Sequence, residues 1–90
     1  MSDAAIITPY MSGNFIEPTQ AFGVVLRRLR KAKGLTQETL GLEADVQRNF
    51  ISLIELGQNQ PTITTIFRLA TALGVKPSKM LELVQAERDV

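Results

Sequence analysis

From Gln20 onward, apolar residues recur at the spacing of helices that each bury one face. Phe22, Val25, Leu26, Leu29 and Ala32 form one stripe, predicting a first helix over residues 20–33 that Gly34 closes after a basic last turn. Thr36 is placed to cap a second helix. Leu40, Ala44, Val46, Ile51 and Ile54 then supply apolar contacts on both sides of a tight turn. A third helix is expected over residues 47–56, stopping at Gly57, and a fourth over 62–73 with Ile63, Ile66, Phe67, Ala70 and Leu73 inward. Gly74 and Val75 have the character of a helix-ending turn, and Pro77 suits the first turn of a fifth helix over 78–86, apolar at Met80, Leu81 and Val84. The expected fold is all-α, a compact five-helix domain over residues 20–86 with a short tail at 87–90.

Residues 1–19 contain Pro9, Gly13 and Pro18 and no sustained helical period, which reads as an extended or disordered arm. Its Ile6, Ile7, Tyr10, Phe15 and Ile16 are too many for a purely solvated tail. They pack either on the domain or on a second subunit, and the pattern does not choose.

The densest geometric signal is residues 37–56, QETLGLEADVQRNFISLIEL, two short helices joined by a turn. Gly41 stands where the first helix must let the second approach closely. Asp45 stands at the turn, where a positive φ is expected; Asp tolerates that better than most residues. Gln47, Arg48, Asn49 and Ser52 fall on one face of the third helix, away from Ile51 and Ile54, giving a helix-turn-helix with a polar reading face. Arginine donates two hydrogen bonds to guanine O6 and N7, and asparagine pairs with adenine N6 and N7. These four residues and Leu53 are therefore candidates for reading base edges in DNA. Leu53 departs from a polar face: it either touches a thymine methyl or packs against Leu56 or another part of the chain.

The run LRRLRKAKGLTQETLGLEADVQRNFISLIELGQNQP followed by TITTIFRLATALGVKP resembles the XRE/Cro-C1 family of phage-repressor helix-turn-helix domains. The resemblance spans residues 22–83; its marks are Arg30 ahead of Gly34, Leu35-Thr36-Gln37, Ile51-Ser52, Glu55, Gly57, Pro61 and Ala72-Leu73-Gly74-Val75. It implies a five-helix, lambda-repressor-like domain that binds double-stranded DNA and usually acts as a dimer. It also implies that Gln37 contacts a phosphate and that Arg30 pairs with Glu55. Thr36 and Gln37 begin a helix, where free backbone amides and the helix dipole favour a phosphate. Gln58 and Asn59, in the loop GQNQP, and Arg27, Arg28 and Lys31 are further phosphate candidates.

Composition narrows the chemistry. Ninety residues, 44% hydrophobic and 21% charged, suit one globular domain. With neither Cys nor His, the chain lacks thiol nucleophiles, disulfides, imidazole bases and the commonest zinc ligands. No catalytic set, metal or cofactor is expected, nor an enzyme. The net charge of +1 says little, but its distribution says more. Arg27, Arg28, Arg30, Lys31 and Lys33 run without an acid among them, whereas the last stretch holds Glu82, Glu87 and Asp89 against Arg88. No apolar run approaches the roughly 20 residues that span a bilayer, and no secretory signal is visible. A cytoplasmic, nucleoid-associated protein of a prokaryote or its phage is expected.

The leading expectation is a sequence-specific regulator that binds a near-palindromic operator as a homodimer. An antitoxin-like component would use the same fold while its arm or fifth helix engages a protein partner, a toxin or the transcription machinery. A third reading is an interaction domain that has lost DNA binding, hinted at by Leu53 and the low net charge.

Overall fold

The structure, a computed structural model, describes residues 16–89. It has five helices: α1 Pro18–Ala32, α2 Gln37–Ala44, α3 Arg48–Glu55, α4 Ile63–Leu73 and α5 Pro77–Arg88. The expected all-α architecture is present, with small shifts at the ends. Pro18 and Thr19, read as arm, form the first turn of α1. Proline's fixed φ suits the first helical position, and the Ala21 amide already bonds the Glu17 carbonyl at 2.9 Å. At the other end, Glu87 and Arg88, read as tail, extend α5, where Arg28 of α1 holds Glu87 at 2.6 Å. The rest of the arm, residues 1–15, and Val90 lie outside the described residues.

Local chemistry sets the helix starts. The Thr36 hydroxyl accepts from the Thr39 amide at 3.0 Å, and Thr62 caps α4 in the same way through Thr65 at 3.1 Å. Asp45 closes α2 in the left-handed region at φ 58°, ψ 47°, and the chain turns there into α3. A Cβ on Gly41 would sit 2.5 Å from the Val46 carbonyl oxygen, so the close approach expected at this glycine is real.

α1 packs on α3 and α5, α2 on α3 and α4, and α4 on α5. Val25, Leu26, Leu40, Ile51, Ile54, Leu69 and Met80 are fully buried between them. Each such side chain contributes about 1.5–3 kcal/mol on leaving water. The helix-turn-helix is thus clamped from behind by α1 on one side and α4 on the other.

Four apolar positions differ from the pattern. Ala32 is exposed, because the buried line of α1 continues into Arg30 instead. Ile63 and Phe67 are 74% and 54% exposed. α4 is turned so that Leu69, Ala70 and Leu73 face α2 and α5, and Ile63 begins the helix beyond their reach. Leu81 is also exposed, leaving Met80 and Val84 to anchor α5. Nothing in the pattern marks Gly23. It is buried, and a Cβ there would collide with the carbonyl oxygens of Ile54 and Glu55, so it lets α1 and α3 touch through backbone. Among the described residues, no helix is long and apolar enough to cross a membrane.

Candidate nucleic-acid interface

The exposed start of α3 is the centre of the site. Gln47 is its N-cap residue, at φ −63° and ψ 140°, and makes no side-chain cap bond, which leaves its amide free. Gln47, Arg48 and Asn49 are all exposed, while Ile51 and Ile54 behind them are fully buried. Ser52 and Leu53 follow on the same helix and are half-buried. The Leu53 carbonyl accepts from the amides of Gln58 at 2.9 Å and Asn59 at 3.3 Å, folding the next loop back onto α3. Gln58 and Asn59 therefore have only side-chain donors left to offer a phosphate.

A buried polar cluster fixes α3 against α1. Arg30 Nε donates to Glu55 Oε2 at 2.6 Å, Nη2 to Oε1 at 3.0 Å, and Nη1 to the Leu35 carbonyl at 2.8 Å. The two side chains are only 9% and 2% exposed, so the paired guanidinium and carboxylate are shielded from water. The hydrogen bond with Glu55 holds the Arg30 guanidinium above its ordinary pKa range, against the opposing effect of burial. Gln37 Nε2 donates to the same Glu55 at 3.1 Å, tying the first turn of α2 into the cluster. The Arg30–Glu55 pair expected from the family resemblance is present.

The phosphate candidates divide. Thr36, Gln37, Lys31 and Arg48 line one open hollow of about 580 Å³, together with Glu38, so α1, the start of α2 and the start of α3 converge there. Arg27 is exposed on α1. Arg28 is engaged elsewhere, its Nη2 on Glu87 of α5. On the other side of the α3 start, Thr65 and Arg68 of α4 line a hollow of about 280 Å³ with Asp45, Gln47 and Phe50. The apolar pattern gave no reason to single out Arg68; the turned phase of α4 is what brings it to this side.

A family model described as helix-turn-helix matches residues 26–80. The chain is 37% identical over 62 residues to the control protein C.BamHI of Bacillus amyloliquefaciens, covering 68% of this chain and 76% of that protein. It is 44% identical over 48 residues to an HTH-type transcriptional regulator, y4dJ, of Sinorhizobium fredii, covering 53% of this chain and 62% of the relative. Among solved structures it is similar to the restriction-modification controller protein C.AhdI of Aeromonas hydrophila. That match has a TM-score of 0.67 and 40% identity, covering 69% of this chain and 94% of that one.

Proposed function

The chain belongs to the XRE, or Cro/C1, type of the helix-turn-helix family, DNA-binding transcriptional regulators rather than enzymes, and from that premise we propose that it reads a near-palindromic operator as a homodimer. The observation that carries this reading is the start of α3. Gln47, the N-cap, and Arg48 and Asn49, the first two residues of the helix, stand together in solvent, while Ile51 and Ile54 further along it are fully buried. A helix presented in this way enters the major groove by its first turn, where its donors meet base edges. Thr36, Gln37 and Lys31 meet the phosphates beside it and set its register without carrying sequence information.

The dimer forms through the apolar strip that α4 leaves uncovered, Ile63 and Phe67. A self-complementary strip of this kind suits a two-fold interface, and two copies of α3 then face two half-sites. The likeness to control proteins of restriction-modification systems supports a narrower role, setting the expression of a restriction enzyme or its companion methyltransferase.

Selection of bound duplexes from a random pool tests the reading. The expected result is one motif with two half-sites, recurring upstream of a restriction or modification gene in the source genome. A pool that yields no enriched motif overturns the reading. A motif lying instead beside a toxin gene replaces the restriction-modification role with the antitoxin-like one.

A further inference from the structure

We propose that Arg68 of α4 is a second-side DNA-backbone contact, gripping the strand opposite the one met by Thr36 and Gln37. The proposal rests on the reading of α3 as the helix that enters the major groove.

A helix in that groove, about 12 Å wide, lies between two walls of phosphate. Around the start of α3 the structure offers a cation on each side. Lys31 edges the hollow that contains Thr36, Gln37 and Arg48, and Arg68 edges the hollow that contains Gln47 and Thr65. Arg48 and Gln47, adjacent in sequence, thus each stand next to a different basic side chain.

Arg68 is also exposed, and no hydrogen bond or ion pair holds it among the described residues. Two carboxylates line the hollows beside it, Asp45 in one and Glu43 in the other, yet neither pairs with it. Its five guanidinium donors are left for a ligand with oxygen acceptors, and the planar fork matches a phosphate. Without Arg68 the one charged side chain lining the hollow beside Gln47 would be Asp45, which repels a phosphate. The arginine turns the flank from repulsive to attractive while the turn keeps the Asp45 that closes α2.

The test is affinity for the selected operator as a function of salt, for wild type, Arg68→Ala, Arg68→Lys and Lys79→Ala. Lys79 lies on α5, exposed beside Glu82, and controls for the loss of any one positive charge. Removing one phosphate contact lowers the slope of log affinity against log salt by about 0.9, so the loss of affinity between roughly 50 and 200 mM salt shrinks about 3.5-fold per protomer. Arg68→Ala is expected to show that change, to weaken every single-base operator variant alike, and to melt as wild type does. Arg68→Lys is expected to recover most of the slope, and Lys79→Ala to keep all of it. If Arg68→Ala keeps the wild-type slope, or shifts it no more than Lys79→Ala, the contact does not exist. Loss of preference at a single base position would make Arg68 a base reader and overturn the backbone assignment. A wild type that selects no duplex overturns the reading of α3 and this contact with it, whereas selection by wild type with Arg68→Ala unchanged overturns this contact alone.

Discussion

Gly23 and Arg30 lie on the same side of α1 and meet the same residue of α3. The glycine lies against the backbone carbonyl of Glu55, and the arginine holds its carboxylate through Nε and Nη2. One residue of α3 is therefore fixed by main chain and side chain from a single neighbouring helix. Closeness comes from the missing Cβ, and orientation comes from the bidentate ion pair. Since Glu55 ends α3 and Arg48 begins it, this junction sets the angle at which the exposed first turn stands out from the domain.

Breaking that ion pair is expected to unfold much of the protein's margin of stability. Glu55→Ala leaves a shielded guanidinium facing an empty site, at about 3 kcal/mol for a buried pair that loses one partner. In a domain of this size, that lowers the melting temperature by roughly 10 °C or more. The double change Arg30→Met, Glu55→Leu is expected to recover most of the loss, because no uncompensated charge remains. Thermal melts followed by circular dichroism decide it; a Glu55→Ala melt equal to wild type would place the pair in solvent.

Gly23→Ala is the second prediction, and its sign runs against helix propensity. Alanine in a helix interior gains about 1 kcal/mol over glycine. Here the added methyl meets two backbone carbonyls, which cannot rotate away as a side chain can. Overpacking of this kind costs about 1–3 kcal/mol, and the clash outweighs the propensity gain. A denaturant midpoint raised by Gly23→Ala would show that α1 and α3 stand further apart than described.

Some of this was legible in the chain and some was not, for reasons that can be named. Caps act over a few residues, so Thr36 and the turn at Asp45 announce themselves locally. The Arg30–Glu55 pair joins positions distant in sequence, and it came from the resemblance rather than from spacing. Ile63, Phe67 and Leu81 have apolar side chains at helical intervals, but periodicity alone cannot say which apolar flank a neighbouring helix covers. Leu69 took the buried place because α4 is turned toward α2 and α5. Gly23 was invisible for a related reason. A glycine inside a helix reads only as a weak helix former until the helix pressed against it is known.

Readout and grip are expected to separate under mutation. Arg48→Ala should weaken binding to the best operator by about 1–3 kcal/mol per half-site and relax the preference at one base position. Gln37→Ala should weaken all duplexes alike. Both proteins should remain folded, because neither side chain belongs to the apolar core and Glu55 keeps its two bonds to Arg30 without Gln37. Binding of each variant to a panel of single-base operator changes is the measurement. If Arg48→Ala keeps the full wild-type preference at every position, the readout belongs to Gln47, Asn49, Ser52 or Leu53.

Self-association is expected to depend on Phe67. A glutamate there forfeits the apolar burial of that ring, about 1.5–3 kcal/mol per protomer, and sets two like charges against each other across a two-fold axis. Phe67→Glu should weaken the dimer at least tenfold in sedimentation equilibrium while the monomer melts near the wild-type temperature. An unchanged dimer would move the interface away from the α4 strip.

The Gln37 side chain spends one hydrogen of its amide nitrogen on Glu55. A primary amide nitrogen carries two. The first holds the side chain from inside the domain, and the second has no partner among the described residues. Freezing a glutamine costs up to about 1.5–2 kcal/mol of conformational freedom, and here that loss falls on folding rather than on docking. A phosphate arriving at the start of α2 would find a donor already held in place by the same carboxylate that Arg30 neutralises.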